Sequence, residues 1–330
     1  MIPIGFHASH EQVHPAALLE AVQRAERAGF DAAMCSDHLA PWNPRQGHSA
    51  LAWAWLGAAL ATTSLRFGVV TAPGQRYHPT LTAQGIATLA AMFPGRFWAA
   101  LGSGENLNEH VTGDAWPDKA TRDARLLEVV EVLRRLLAGD EVTHRGLVTV
   151  DQARVWTLPE VPARLIGAAV TPATAGRVAG WADGLVTVNQ APDALREVVG
   201  AYRDAGGTGT VALQVHVSWD PDPDRAAAVA HDQWRSNVFP PPLCWDLATP
   251  EQFDLASEHV SPAAVAEHSV LVESDPDRLA DRLAELVAIG FDEVYLHQVS
   301  QEQEPFVTLS AERLLPALRE RLAAVAVPTR

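Results

Sequence analysis

Two short stretches carry the residue types needed for proton chemistry. Ser36-Asp37-His38 follows the apolar run Ala32-Ala33-Met34-Cys35, with Pro41-Trp42 a few residues on. Gly102-Ser103-Gly104-Glu105 follows Phe97-Trp98-Ala99-Ala100-Leu101, with Asn108-Glu109 beyond it. A histidine titrates close to neutral pH. A carboxyl group in an apolar pocket is raised toward neutrality and serves as an acid. His38 and Glu105 are therefore a candidate acid–base pair. Both follow runs that read as buried strands, and α/β folds build their sites at strand C-terminal ends. The alternative is a satisfied core histidine and a capping carboxylate. Gly102 and Gly104 let the backbone approach a ligand closely.

Asp37 could orient His38, ligate a metal, or accept hydrogen bonds from a ring system. A metal-dependent hydrolase using Asp37, His38 and His297 is the rival reading, with His7 and His10 as further donors. No His-x-His follows the first strand. Trp42, Trp53, Trp55 and Tyr77 supply aromatic faces that suit a flat heterocycle. Trp53 and Trp55 are two apart on a helix and cannot share a face, so at least one packs the core. Trp42, in a loop after Pro41, is the better ligand candidate. Thr71 to Pro79, rich in Gly and Pro, reads as an irregular loop after the third strand.

The elements that position these residues alternate along the chain. Strands are expected at Ile2–His7, Ala32–Cys35, Arg66–Val70, Phe97–Leu101, Leu165–Ala168, Gly184–Val188, Val211–Val217 and Glu293–His297. Helices are expected at Pro15–Ala28, Ser49–Thr63, Pro79–Met92, Lys119–Leu137, Pro172–Ala179, Pro192–Ala205, Asp275–Ile289 and Ser310–Ala324. About eight βα units imply parallel strands and a (β/α)8 TIM barrel in one domain over residues 1–330. A doubly wound open sheet is the alternative, but no G-x-G-x-x-G follows the first strand. Two insertions are expected. One is a small hairpin near 140–152. The other is a longer segment near 220–270, interrupted by Pro240-Pro241-Pro242, which reads as a lid or an oligomer contact.

Composition narrows the function classes. The net charge is −15 and only one lysine, Lys119, occurs among the 25 basic residues. Such a chain lacks the basic footprint of a nucleic-acid or anionic-membrane binder. Cys35 and Cys244 do not make a disulfide framework. The N-terminus enters a strand at once, without the pattern of a signal peptide. No apolar run reaches the roughly 18 residues of a membrane span. The expectation is a soluble cytoplasmic protein.

With these residues assembled, the chain resembles the bacterial luciferase-like superfamily, in the branch of the F420-dependent glucose-6-phosphate dehydrogenases. The resemblance rests on His7-Ala8-Ser9-His10-Glu11-Gln12, Ser36-Asp37-His38 with Pro41-Trp42, and Gly47-His48-Ser49. It continues through Arg76-Tyr77-His78-Pro79, Gly102-Ser103-Gly104-Glu105 with Asn108-Glu109, Ala115-Trp116-Pro117 and Ser274-Asp275-Pro276-Asp277. A sister group associated with FMN is similar as well.

The resemblance implies a TIM-barrel oxidoreductase with coenzyme F420, or FMN, at the C-terminal mouth. Asp37 would contact the cofactor. The Val69–Val70 bond would be a non-proline cis peptide against the cofactor ring, with Ala72 beside it. Ser103, Gly104 and Asn108 would hold the ring and ribityl chain. Gly167, Ala168 and Ala169 would lie near the phosphate. His38 would act on the substrate hydroxyl, Trp42 would position the substrate, Glu105 would be the acid/base, and Glu11 a further active-site carboxylate. F420 implies hydride transfer; FMN with oxygen implies monooxygenation and a reductase partner. The family habit and the Trp-rich insertion imply a homodimer.

The sugar-phosphate enzymes hold their substrate phosphate with Lys and Arg. Here the corresponding stretches read Val188-Asn189-Gln190, Glu267-His268 and Gln298-Val299-Ser300-Gln301-Glu302-Gln303, without either residue. A buried phosphate without cations is disfavoured. The expected substrate is a small non-phosphorylated molecule: a neutral alcohol, an aldehyde or a conjugated carbonyl compound.

Overall fold

The structure, a computed structural model, describes residues 1–325. Eight parallel strands close into a barrel: β1 (Ile4–Ala8), β2 (Ala32–Ser36), β3 (Arg66–Thr71), β4 (Phe97–Leu101), β7 (Arg164–Ala168), β8 (Gly184–Val188), β9 (Thr210–Trp219) and β11 (Glu293–Gln298). β11 pairs with both β1 and β9, and β8 pairs with β9, which closes the ring. β5 (Val142–Arg145) and β6 (Thr149–Ala153) form an antiparallel hairpin between β4 and β7. β10 (Leu271–Glu273) pairs with the overhanging end of β9, which at 10 residues outruns the other barrel strands. The expected TIM barrel is therefore present.

Alternate residues face the barrel axis, as strand geometry requires. Trp98 and Tyr295 fill the lower interior, with ring centroids 6.0 Å apart. Glycines opposite make room for them. A Cβ on Gly68 would lie 2.0 Å from the Trp98 ring, and one on Gly5 would lie 2.2 Å from Tyr295. Trp98 and Tyr295 thus plug the barrel below the cavity lined by the C-terminal strand ends. The outward faces (Phe6, Phe67, Val69, Leu213 and Leu296 among them) meet the helices in the main core.

Several boundaries differ from the sequence reading. The helix expected from Ser49 starts at Ala52. The C-terminal helical segment begins earlier, at Glu304, and passes through a π-helical turn at Ser310–Leu314. β10 was not expected; three residues carry too little alternation to be read. The stretch 220–270 is largely helical, with helices at Pro223–Trp234, Leu243–Asp246, Pro250–Ala256 and Pro262–His268, four of the prolines sitting at or beside helix starts. No helix among the described residues is long and apolar enough to cross a membrane.

Candidate active site

A cavity of about 480 Å3 opens at the C-terminal mouth of the barrel. Every βα turn singled out in the sequence reaches it. Asp37, His38 and Trp42 come from the end of β2; Val70 and Ala72 from β3; Ser103, Gly104, Glu105 and Asn108 from the turn after β4. Ala168 and Ala169 come from the end of β7, and Glu11 from the loop after β1.

His38 stands between two carboxylates. Its Nδ1 lies 3.7 Å from Glu11 Oε1, and its Nε2 lies 3.6 Å from Glu105 Oε2. Neither approach is a hydrogen bond, and Nδ1 has no partner. The carboxylates differ in surroundings. Burial pushes the Glu11 carboxyl up, but His38, the Ser36 hydroxyl and His7 outweigh it, and the net shift is downward. Ser9 Oγ donates to Glu11 Oε2 at 2.8 Å, and Ser36 Oγ donates to Oε1. Burial raises the Glu105 carboxyl; His38 opposes this, while Glu11 and Glu109 add to it. Two carboxyl groups pushed apart flank one imidazole, an arrangement that separates an ionised partner from a proton holder.

Asn108 ties the two halves of the site together. Its Oδ1 accepts from the backbone N–H of Leu39 at 2.8 Å, and its Nδ2 donates to Glu105 Oε2 at 3.4 Å. Trp42 leans over His38, with ring centroids 4.9 Å apart, and meets Phe253 edge-on at 5.4 Å. Gly104 adopts φ +86°, a left-handed conformation that suits glycine.

Asp37 organises the wall rather than presenting its carboxylate. Thr71 Oγ1 donates to Oδ2 at 2.8 Å, Trp53 Nε1 to Oδ2 at 3.1 Å, and Tyr77 hydroxyl to Oδ1 at 3.1 Å. Arg76 lies between Asp37 and Glu109, at 3.6 Å from each. Trp53 and Tyr77 are thus donors to Asp37. Trp55 packs against Phe67 in the core.

Three expectations need correction. The Val69–Val70 bond is trans; among the described residues the cis bond is Pro241–Pro242. Both valines sit in regular register with Cys35, Ser36, Ala99 and Ala100, and a non-proline cis bond costs about 2.5–4 kcal/mol. Val69 points outward into the helix-facing core, not into the cavity. Gly167 also faces away, since a Cβ there would lie 2.0 Å from Val178 Cγ1. Period-2 alternation puts one residue of each such pair on the wrong face.

The metal reading fails on its donors. Among the described residues no group of three or more His, Cys, Asp or Glu is arranged to hold a metal ion. Asp37 is enclosed by protein donors, as above. His297 is bonded on both sides: Nε2 donates to Gln12 Oε1 at 2.7 Å, and Nδ1 accepts from Gln214 Nε2 at 3.4 Å.

Sequence reasoning missed the cavity floor as a unit. His7 stacks on His297 at 4.4 Å, and Trp234 packs on both His216 and His297. Burial holds His7 down at about 3 and His216 at about 4. The floor is therefore polar but uncharged at neutral pH. The signal was present in the alternation Gln214-x-His216 on β9, but only ring closure brings it beside His7 and His297. The helical stretch 220–270 also lines the cavity, with Phe239, Cys244 and Trp245.

The model of the luciferase-like monooxygenase family matches residues 1–293. The chain belongs to this family. It is 34% identical to an F420-dependent glucose-6-phosphate dehydrogenase of Beutenbergia cavernae, over 97% of this chain and 98% of that one. A protein of the same name from Nakamurella multipartita is 35% identical, over 96% and 97%. Among solved structures, an F420-dependent secondary alcohol dehydrogenase in complex with an F420-acetone adduct superposes with a TM-score of 0.87 at 30% identity, covering 96% of this chain and 99% of that one.

Proposed function

We propose that this chain is an F420-dependent oxidoreductase that transfers a hydride between the cofactor and a small, uncharged alcohol or its carbonyl counterpart. The observation that carries the reading is His38, set between a carboxyl lowered and a carboxyl raised over a cavity of about 480 Å3. The names of the full-length relatives support F420, and that of the alcohol dehydrogenase supports an alcohol.

The residues present fit a flavin-sized headgroup. The cavity volume lies in the range of cofactor sites. Val70, Ala72 and Ala168 give one wall small apolar side chains. Gly102 leaves further room, since a Cβ there would first meet Ala168 Cβ, at 3.8 Å. Ser103, Gly104 and Asn108 would hold the group on its β4 side, and Ala168 with Ala169 on its β7 side. When bound, a deazaflavin supplies a two-electron hydride acceptor or donor.

The protein's own part is proton handling and selection. The ionised Glu11 beside Nδ1 favours a proton there and leaves Nε2 of His38 to take the hydroxyl proton as the alcohol carbon loses its hydride. Burial raises the Glu105 carboxyl at the cavity wall, which makes it the better proton holder of the two carboxyl groups. Trp42 and the helical cover limit water. Arg76 on the cavity wall is already engaged with Asp37 and Glu109. With a neutral floor, this favours an uncharged substrate over a sugar phosphate.

The same proposal includes a homodimer in the cytoplasm, for which light scattering is the check on assembly. The deciding experiment is side-by-side binding of F420 and FMN by fluorescence quenching. Tight F420 binding with weak FMN binding supports hydride transfer. The reverse result replaces it with flavin chemistry and calls for a reductase partner.

A further inference from the structure

Lys119 is the one lysine of the chain, and it lines the cavity. It opens the helix Lys119–Leu137 behind the N-cap Asp118 and reaches back to the turn after β4. Its Nζ donates to Ser103 Oγ at 3.2 Å and pairs with Asp123 one helical turn on. Trp245 of the cavity cover lies 5.4 Å from Nζ, in cation–π range. The ammonium is thus held at the junction of the Gly-Ser-Gly turn, the cover and the long helix.

Its counter-charge is shared. Asp123 Oδ1 takes Lys119, while Oδ2 accepts from Arg177 Nη2 at 2.8 Å. One carboxylate therefore serves two cations. Arg122, the next cation on this helix, is turned to Trp116 and Asp246 instead. The Arg177 guanidinium also reaches Thr174 Oγ1 at 3.3 Å, and Thr174 lines the same cavity. Two hydroxyls and two cations with a single carboxylate between them form a donor set in need of an anion.

We propose that Lys119, braced by Arg177 through Asp123, contacts the phosphoryl group of the bound cofactor on the Ser103 side of the cavity. This rests on the cofactor reading above. Burial lowers the Lys119 amine, an arrangement that an incoming phosphoryl charge reverses. F420 and FMN share this phosphoryl chemistry, and each has a counterpart that lacks it: the bare deazaflavin ribityl chromophore and riboflavin.

A lone lysine makes the test direct. The first arm acylates the wild-type protein with acetic anhydride and reads Lys119 by mass spectrometry, with the α-amine of Met1 as internal reference. Saturating F420 is expected to slow acylation of Lys119 at least tenfold, to leave Met1 unchanged, and to move the pH dependence of the Lys119 reaction upward. The second arm compares binding by fluorescence quenching. Lys119→Met is expected to weaken F420 at least tenfold and to leave the phosphate-free chromophore within twofold, while Lys119→Arg restores most of the loss. Unprotected Lys119 at saturating F420 overturns the assignment. So does equal weakening of F420 and the phosphate-free chromophore. If wild-type protein binds neither F420 nor FMN, the cofactor reading itself falls, and the Lys119 assignment with it.

Discussion

Nε2 of His38 lies 3.6 Å from Oε2 of Glu105, across the gap between the β2 and β4 turns. The two residues are 67 positions apart in sequence, and the relationship exists because β3 alone separates their strands in the barrel. It leaves room for a proton transfer in which neither group is committed to the other beforehand.

Removing either member should disable chemistry and spare binding. Glu105→Gln and His38→Ala are each expected to lower kcat/KM by about 100-fold or more, the usual scale of general acid–base catalysis. F420 affinity should stay within about threefold. Turnover within threefold of wild type in both variants would remove the acid–base assignment.

The same glutamate should cost stability at neutral pH. Its folded-state pKa is raised by burial, so the unfolded chain releases the proton first. Stability is then lost as pH rises above the ordinary carboxylate range, near about 4.3. Glu105→Gln should therefore melt higher than wild type at pH 8 and no higher at pH 4. Equal melting temperatures at pH 8 would show that the carboxyl is not strained by its site.

The histidine floor predicts a loss of stability on acidification. His7 and His216 are held neutral when folded, down to about 3 and about 4, and protonate near about 6.5 when unfolded. The unfolded state binds more protons in that window. Stability therefore falls as pH drops from about 6.5, by up to about 1.4 kcal/mol per unit for each histidine, and levels off below the folded values. His7→Phe, which keeps a ring against His297, should flatten the slope in denaturant titrations between pH 6.5 and 4. An unchanged slope would place His7 outside the effect.

Gly104 should resist a side chain. Its φ of +86° costs an L-residue about 1–2 kcal/mol, and a Cβ would stand 3.1 Å from Glu109 Cγ. Gly104→Ala is expected to lower the melting temperature and weaken F420 binding together, read by thermal melts and fluorescence. Wild-type values for both would mean that the turn adapts freely.

Glucose 6-phosphate should be a poor substrate. Val188, Asn189, Gln190 and His268 line the cavity, and none of them is a Lys or Arg. Secondary alcohols should exceed it in kcat/KM by at least tenfold in parallel assays of F420 reduction. Robust turnover of the sugar phosphate would overturn the uncharged-substrate reading.

The eight barrel strands were legible because each is a short apolar run closed by a turn, and that pattern is local. Pro15–Ala28, Pro79–Met92 and Lys119–Leu137 were read to the residue, since proline or Asp118 marks each start. The site residues after β2 and β4 were legible for the same reason: a strand end followed by Asp-His or Gly-Ser-Gly-Glu announces itself. What the sequence could not decide was everything set by closure and facing. A one-residue alternation separates Val70, on the cavity, from Val69, in the outer core. Whether Asp37 offered its carboxylate to a ligand depended on Thr71, Trp53 and Tyr77 arriving from three other places. The floor of His7, His216 and His297 exists only once β11 pairs with β1 and β9. Local pattern fixes where strands and turns lie, because backbone conformation responds to nearest neighbours. Charge state and partner choice follow from burial, which residues distant in the chain impose on one another.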